Sequence, residues 1–139
     1  MKSECFLDTN VLIYALAGKH DAPTKHARAI SLFMEADFGL SGQVLAEFYV
    51  NASKCIGKGI DIDDVNDWMN ALEQFPILPV DVDVVRAGIV NSHKYQLSYW
   101  DGAIIAAAAR LGAKTLFTED LNHGQAYGSV TAINPFKAA

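Results

Sequence analysis

The stretch CFLDTNVLIYAL, residues 5–16, combines the patterns of a buried strand, a polar turn and a helix. Cys5 to Leu7 is a short apolar run, which is typical of strands that are buried on both faces. The run ends abruptly at Asp8-Thr9-Asn10, three residues that favour turns and helix N-caps. The apolar segment Val11 to Leu16 follows, and we predict that it is helical.

The rest of the chain repeats this alternation of short apolar runs and helical patterns. Further strands are predicted over residues 38–40, 77–80, 115–118 and 130–133. Helices are predicted over residues 23–38, 42–56, 61–75, 82–95 and 98–112. Short apolar strands that alternate with helices predict an α/β fold, in which helices cover both faces of a parallel sheet of four to five strands. In such sheets, functional sites form at the carboxyl ends of the strands.

Size and charge limit the class of protein and its partners. A chain of 139 residues without repeats or linkers predicts one domain over residues 1–139. No apolar run approaches the ~20 residues that a bilayer requires, so we expect a cytoplasmic protein without a membrane span. The net charge of −5 argues against a general nucleic-acid binder, because phosphate contacts need a basic surface. A nucleic-acid substrate therefore requires that the acids be concentrated where bound cations offset them.

Four acidic residues stand where chemistry is expected, and each also has a structural explanation. Asp8 directly follows the first strand and Asp120 follows the fourth, although the first could be a helix cap and the second a turn residue. Asp101 could complete a capping box with Ser98, but it also opens an alanine-rich helix that should be buried, where an uncompensated carboxylate is costly. Glu47 falls on the flank of the apolar stripe of its helix, a position that is usually solvated.

The four acids gain significance because the predicted fold brings them to the same end of one sheet. Converging carboxylates repel one another and raise one another's pKa unless cations hold them. An all-oxygen ligand set, without thiolates or paired histidines, suits Mg²⁺ or Mn²⁺ rather than zinc. Thr9, Asn10 and Thr118 are candidates for hydrogen bonds that orient the carboxylates. Glu119 stands beside Asp120 and could equally be the acid that faces inward.

Other chemistries lack their sequence motifs. The chain contains no phosphate-binding glycine loop, no nucleophile elbow and no histidine spacing typical of zinc enzymes. A phosphatase with Asp8 as nucleophile is an alternative, but that chemistry requires a second acid two residues on, where this chain has Asn10. Candidates for substrate contacts outside the acidic cluster are Lys19, His20, Lys25 and Lys54.

The residues around the four acids resemble those of a known family. Phe6 to Leu12, FLDTNVL, is similar to the opening of PIN-domain ribonucleases, in particular the VapC-type toxins of toxin–antitoxin pairs. Glu47 in LAEF, Asp101 in YWD and Asp120 in TED match the second, third and fourth acids of that family. The segments LNHGQ, residues 121–125, and INPF, residues 133–136, are also similar to this toxin family.

The resemblance covers nearly the whole chain and implies more than the spacing of apolar and polar residues does. It implies a three-layer α/β/α sandwich and divalent-metal-dependent cleavage of RNA, with Mg²⁺ or Mn²⁺ held by the four acids. It also implies a cognate antitoxin as protein partner and a homodimer. The alternative within the same fold is a PIN-like domain that binds RNA or a protein partner without catalysis.

Overall fold

The computed structural model describes residues 1–137, in which strands and helices alternate along the chain. The strands are β1 (Cys5–Leu7), β2 (Phe38–Ser41), β3 (Ile77–Leu78), β4 (Thr115–Phe117), β5 (Ala126–Tyr127) and β6 (Val130–Ile133). The helices are α1 (Thr9–Ala17), α2 (Pro23–Glu35), α3 (Gly42–Ser53), α4 (Ile62–Leu72), α5 (Val82–Tyr95) and α6 (Tyr99–Arg110). Within residues 1–137, none of the helices combines the length and the apolar character needed to cross a membrane.

The strands form a six-stranded sheet in the order β3-β2-β1-β4-β6-β5. β1 lies inside the sheet, because Cys5 pairs with Phe38 on one side and with Thr115 on the other. Every neighbouring pair is parallel except β5 with β6. The α/β sandwich with a largely parallel sheet, predicted from the sequence, is therefore confirmed.

β5 is the strand that the sequence did not predict, so the sheet has six strands rather than four to five. It comprises Ala126–Tyr127 and pairs antiparallel with β6 through a turn at Gly128, whose φ is +64°. Glycine favours such a left-handed φ, which gives the turn a sequence signal. Two residues, however, are too few to display the alternation that identifies a strand.

Three helices end three residues before the position predicted from their apolar periodicity. α2 ends at Glu35, α3 at Ser53 and α4 at Leu72. After α2, extended backbone at Ala36 allows Phe38 to begin β2, where its ring stacks on Phe75 with centroids 4.1 Å apart. Side chains that are buried just beyond a helix prolong its apolar pattern, so periodicity overestimates the length of the helix.

Helix α6 packs unusually close to α5, and this contact positions the third predicted acid. The alanine-rich helix is buried from Gly102 through Ala108, as expected from its composition. A Cβ on Gly102 would lie 2.5 Å from the carbonyl oxygen of Gly88 in α5. A Cβ on Gly88 would in turn lie 2.9 Å from the Cα of Ala103. The two glycines therefore permit the close approach of α5 to α6, the helix that carries Asp101.

Replacing Gly102 by alanine should destabilise the protein, because the new methyl group meets backbone that cannot move cheaply. We expect a loss of about 2 kcal/mol in the free energy of unfolding, measured by urea denaturation. Gly42→Ala is the matched control, since its Cβ would find only ordinary contacts at 3.6 Å and beyond. A Gly102→Ala protein as stable as the wild type would contradict this account of the α5–α6 contact.

Candidate active site

An open pocket of about 490 Å³ lies at the carboxyl ends of the central strands. β1 and β4 end side by side, with Leu7 paired to Phe117, and the amide of Asp8 donates to the carbonyl oxygen of Phe117 at 3.0 Å. Asp8 and Thr118 therefore leave the sheet at the same level. Five carboxylates line the pocket: Asp8, Glu47, Asp101, Glu119 and Asp120.

Asp8 is the buried centre of the pocket and also the N-cap of α1. Its Oδ1 accepts a hydrogen bond from the amide of Thr9, and its Oδ2 accepts one from the hydroxyl of Thr118, both at 2.8 Å. Only 7% of the residue is exposed. Burial raises the pKa of Asp8 to about 6, against the opposing effect of its hydrogen bonds to Thr118 and Thr9, and the charges of Asp120 and Glu47 raise it further.

Glu47 reaches the pocket from α3 and contacts α1. The hydroxyl of Thr9 donates to Oε1 of Glu47 at 3.2 Å. α3 follows β2 directly and begins at Gly42, and its N-cap is Ser41, whose side chain accepts from the amide of Val44. The flank of α3 that carries Glu47, which periodicity alone would leave in solvent, is thus turned toward the N-terminus of α1.

Asp120 is held by the turn that follows β4. Its amide donates to the hydroxyl oxygen of Thr118 at 3.0 Å, and the side-chain amide of Asn10 donates to its Oδ2 at 3.1 Å. The same Asn10 nitrogen lies 3.4 Å from Oγ1 of Thr118. Since Thr118 also donates to Asp8, one fully buried hydroxyl connects the first acid with the fourth.

Asp101 stands on the first turn of α6, across the pocket from the strand ends. Its amide donates to the hydroxyl oxygen of Ser98 at 3.1 Å, which is the helix-capping half of the predicted capping box. Burial is the main cause that raises the pKa of Asp101, and the charge of Asp120 adds to it, while a hydrogen bond with Ser98 lowers it. The other half of the predicted capping box, in which the carboxylate of Asp101 would accept from the amide of Ser98, does not form within residues 1–137, and this carboxylate lines the pocket instead.

The donor atoms fit a hydrated hard cation better than a closed metal site. In the described residues, no three His, Cys, Asp or Glu side chains converge closely enough to form a ready-made metal cage. The acids instead surround an open space, and Oδ1 of Asn10 is buried there without a hydrogen-bond partner from residues 1–137. Mg²⁺ keeps several of its waters when it binds proteins, so contacts through water suit carboxylates that are spread apart in this way.

The pocket also includes side chains that the sequence did not single out, namely Tyr14, Gln43, Asn51, Trp100, Ile13 and Ile104. Gln43 donates to the carbonyl oxygen of Trp100 at 3.2 Å and so ties α3 to α6. Helical spacing offered a signal for two of these residues, because Asn51 follows Glu47 by one turn and Tyr14 follows Asn10 by one turn. Of the four candidates for substrate contacts, Lys25 is the one whose side chain bonds to pocket-lining residues within residues 1–137.

Comparisons with known proteins agree with this fold. The sequence model of the PIN domain matches residues 5–128. No curated protein matches the sequence. A toxin–antitoxin complex from Klebsiella pneumoniae contains a chain with a similar structure, with a TM-score of 0.73 and 19% identity over 96% of this chain and 99% of that one.

Two further solved structures share the fold at similarly low identity. VapC20 of Mycobacterium tuberculosis, described as a toxin that cleaves the sarcin–ricin loop, has a TM-score of 0.65 and 18% identity over 84% of this chain and 91% of its own. VapBC2 from Rickettsia felis, bound to a promoter DNA fragment, has a TM-score of 0.63 and 18% identity over 92% and 96%. The matched residues include every strand from β1 to β5 and the whole acidic pocket. The chain therefore belongs to the PIN domain family.

Proposed function

We propose that this protein is an endoribonuclease that depends on Mg²⁺ or Mn²⁺ and acts as the toxin of a toxin–antitoxin pair. The observation that carries the proposal is the meeting of Asp8, Glu47, Asp101 and Asp120 around one pocket. These residues come from four separate parts of the chain, and the pKa values of Asp8 and Asp101 are raised in the absence of a cation. Carboxylates concentrated in this way need a positive charge to balance them.

The proposed roles follow from the contacts of each side chain. A bound divalent cation supplies a Lewis acid that lowers the pKa of water and stabilises negative charge on a phosphodiester. Asp8 and Asp101 would hold it most directly, and Glu47 and Asp120 would complete the site directly or through water. Supporting hydrogen bonds come from Thr9 to Glu47, from Asn10 to Asp120 and from Thr118 to Asp8. Each fixes the carboxylate that it contacts.

RNA is the proposed substrate, and an antitoxin and a second copy of the chain are the proposed protein partners. The resemblance to VapC-type toxins supports this choice, as does the description of VapC20 as a toxin that cleaves an RNA loop. Two of the similar structures are toxin–antitoxin assemblies. The net charge of −5 is compatible with an RNA substrate, because cations in an acidic pocket attract phosphate. The proposal implies a cytoplasmic location, where such an RNA is found.

The geometry does not favour the phosphatase alternative. Asn10, at the position where a phosphatase would carry its second acid, donates to Asp120. A PIN-like domain that binds RNA without cutting it would have no need for four carboxylates in one pocket.

Replacing Asp101 by asparagine should abolish RNA cleavage while leaving the fold intact, because a ligand charge is lost without a change of shape. We expect the rate on mixed RNA with Mg²⁺ or Mn²⁺ to fall by at least about 100-fold, and Asp8→Asn to behave in the same way. Asp67→Asn is the matched control, since this exposed acid lies on α4 outside the pocket. Cleavage at the full rate by the purified Asp101→Asn protein would contradict the proposal.

The raised pKa of Asp8 predicts how stability depends on pH without metal. The folded protein binds a proton at Asp8 up to about pH 6, because burial raises the pKa of this carboxyl, whereas the unfolded chain releases the proton near the ordinary pKa of 3.8. Ionised Asp8 therefore destabilises the fold, and the effect grows as the pH rises from about 4 to 6. Asp8→Asn should be more stable than the wild type by about 1–2 kcal/mol at pH 7.5, because the lost Thr118 bond offsets part of the gain.

Urea denaturation in EDTA at pH 7.5 and pH 4 measures this difference. At pH 4, where Asp8 is protonated in the folded protein, Asp8→Asn should lose its advantage and be no more stable than the wild type, because the loss of the Thr118 bond is then the main remaining effect. Addition of Mn²⁺ at pH 7.5 should stabilise the wild type and leave Asp8→Asn nearly unchanged, because only the wild type keeps the buried charge. An Asp8→Asn protein less stable than the wild type at pH 7.5 in EDTA would show that the ionised carboxylate of Asp8 does not destabilise the fold.

A further inference from the structure

Glu119 differs from the other four carboxylates of the pocket. Among residues 1–137 it is the only one of the five that forms a salt bridge: Nζ of Lys25 lies 3.0 Å from its Oε2. The hydroxyl of Tyr14 donates to its other oxygen, Oε1, at 2.9 Å. Both oxygens of Glu119 are thus engaged by the protein, and one of the partners is a cation.

Lys25 and Tyr14 are themselves fixed by several parts of the fold. Nζ of Lys25 donates to the hydroxyl oxygen of Tyr14 at 3.1 Å and lies 4.8 Å from the centre of the Tyr14 ring. It also lies 5.5 Å from the ring of Phe136, which packs edge-on against Tyr14 with centroids 4.9 Å apart. Arg28 donates to the carbonyl oxygen of Pro135 at 3.3 Å and holds this C-terminal segment on α2.

Glu119 and Asp120 are neighbours in sequence but have different surroundings. The carboxylate of Asp120 accepts from Asn10, and its charge raises the pKa of both Asp8 and Asp101. The carboxylate of Glu119 is directed to Tyr14 of α1, which lines the pocket, and to Lys25 of α2, which lies behind it. The turn after β4 therefore directs Glu119 away from the other carboxylates and Asp120 toward them.

We propose that Lys25 and Tyr14 form a clamp that holds Glu119 against the pocket wall, so that Asp120 is the fourth carboxylate facing the divalent cation. The inference rests on the proposed function, because it concerns the same metal pocket. A fifth free carboxylate would replace water on the cation, and a catalytic metal site needs positions open to water and substrate. Lys25 is thus a positioning residue that limits the ligand set, rather than a contact to RNA.

A double-mutant cycle tests the clamp through Mn²⁺ binding, measured by isothermal titration calorimetry on the full chain without RNA. In the wild-type background, Glu119→Gln should change the dissociation constant by no more than about two-fold, because the carboxylate is already paired. In the Lys25→Met background, Glu119 is released toward the cation, and the same substitution should weaken binding by about ten-fold. Lys25→Arg should behave like the wild type, since it keeps the charge.

Two controls separate the clamp from simple charge effects and from misfolding. Lys58→Met removes an exposed lysine elsewhere on the surface and should leave the effect of Glu119→Gln at about two-fold. Tyr14→Phe removes one bond of the clamp and keeps Lys25, so it should enlarge that effect even if Lys25→Met folds poorly.

An equal effect of Glu119→Gln in the wild-type, Lys25→Met and Tyr14→Phe backgrounds would overturn the clamp and leave the metal site standing. A second result would also overturn the clamp. If Lys25→Met left the effect of Glu119→Gln on Mn²⁺ binding unchanged but weakened RNA binding by the Asp8→Asn protein, which should not cleave RNA, Lys25 would be an RNA contact. Failure of the wild type to bind Mn²⁺ would overturn both the clamp and the proposed function.

Discussion

The hydrogen bond from the Thr118 hydroxyl to Oδ2 of Asp8 joins two residues that are 110 positions apart. It forms because β1 and β4 pair in parallel and end together, so that the residue after each strand leaves the sheet at the same edge. The same hydroxyl oxygen accepts from the amide of Asp120 and lies near the side chain of Asn10. A parallel pairing shifted by one residue would separate these groups and turn Thr118 to the other face of the sheet.

Charge is the second constraint on this structure. The pocket concentrates five of the 16 acidic residues of the chain, and one of the five is neutralised by Lys25. Burial at the end of the sheet raises the pKa of Asp8 and of Asp101, and the charge of Asp120 raises both further. The function that we propose for these carboxylates therefore opposes the stability of the fold, as is common where charged groups are collected for catalysis.

Much of the fold could be predicted because its signals are local. The abrupt change from apolar to polar residues at Asp8 marked the end of β1, and the alanine-rich composition of α6 predicted its burial. Helix ends were less accurate, since Phe38 and Phe75 continue an apolar pattern beyond α2 and α4 in order to pack on each other. β5 was missed because its two residues have a partner in β6 but no periodicity of their own.

By itself the sequence determined which residues are candidates for the site and at which edge of the sheet they lie, because strand ends and residue types are local properties. It left open whether Glu119 or Asp120 faces the other acids, and whether Glu47 is solvated. Tertiary structure decided both: Glu119 meets a lysine from α2, and Glu47 meets the hydroxyl of Thr9 from α1. These partners lie 94 and 38 positions away along the chain, and only packing of the helices on the sheet brings them within hydrogen-bonding distance.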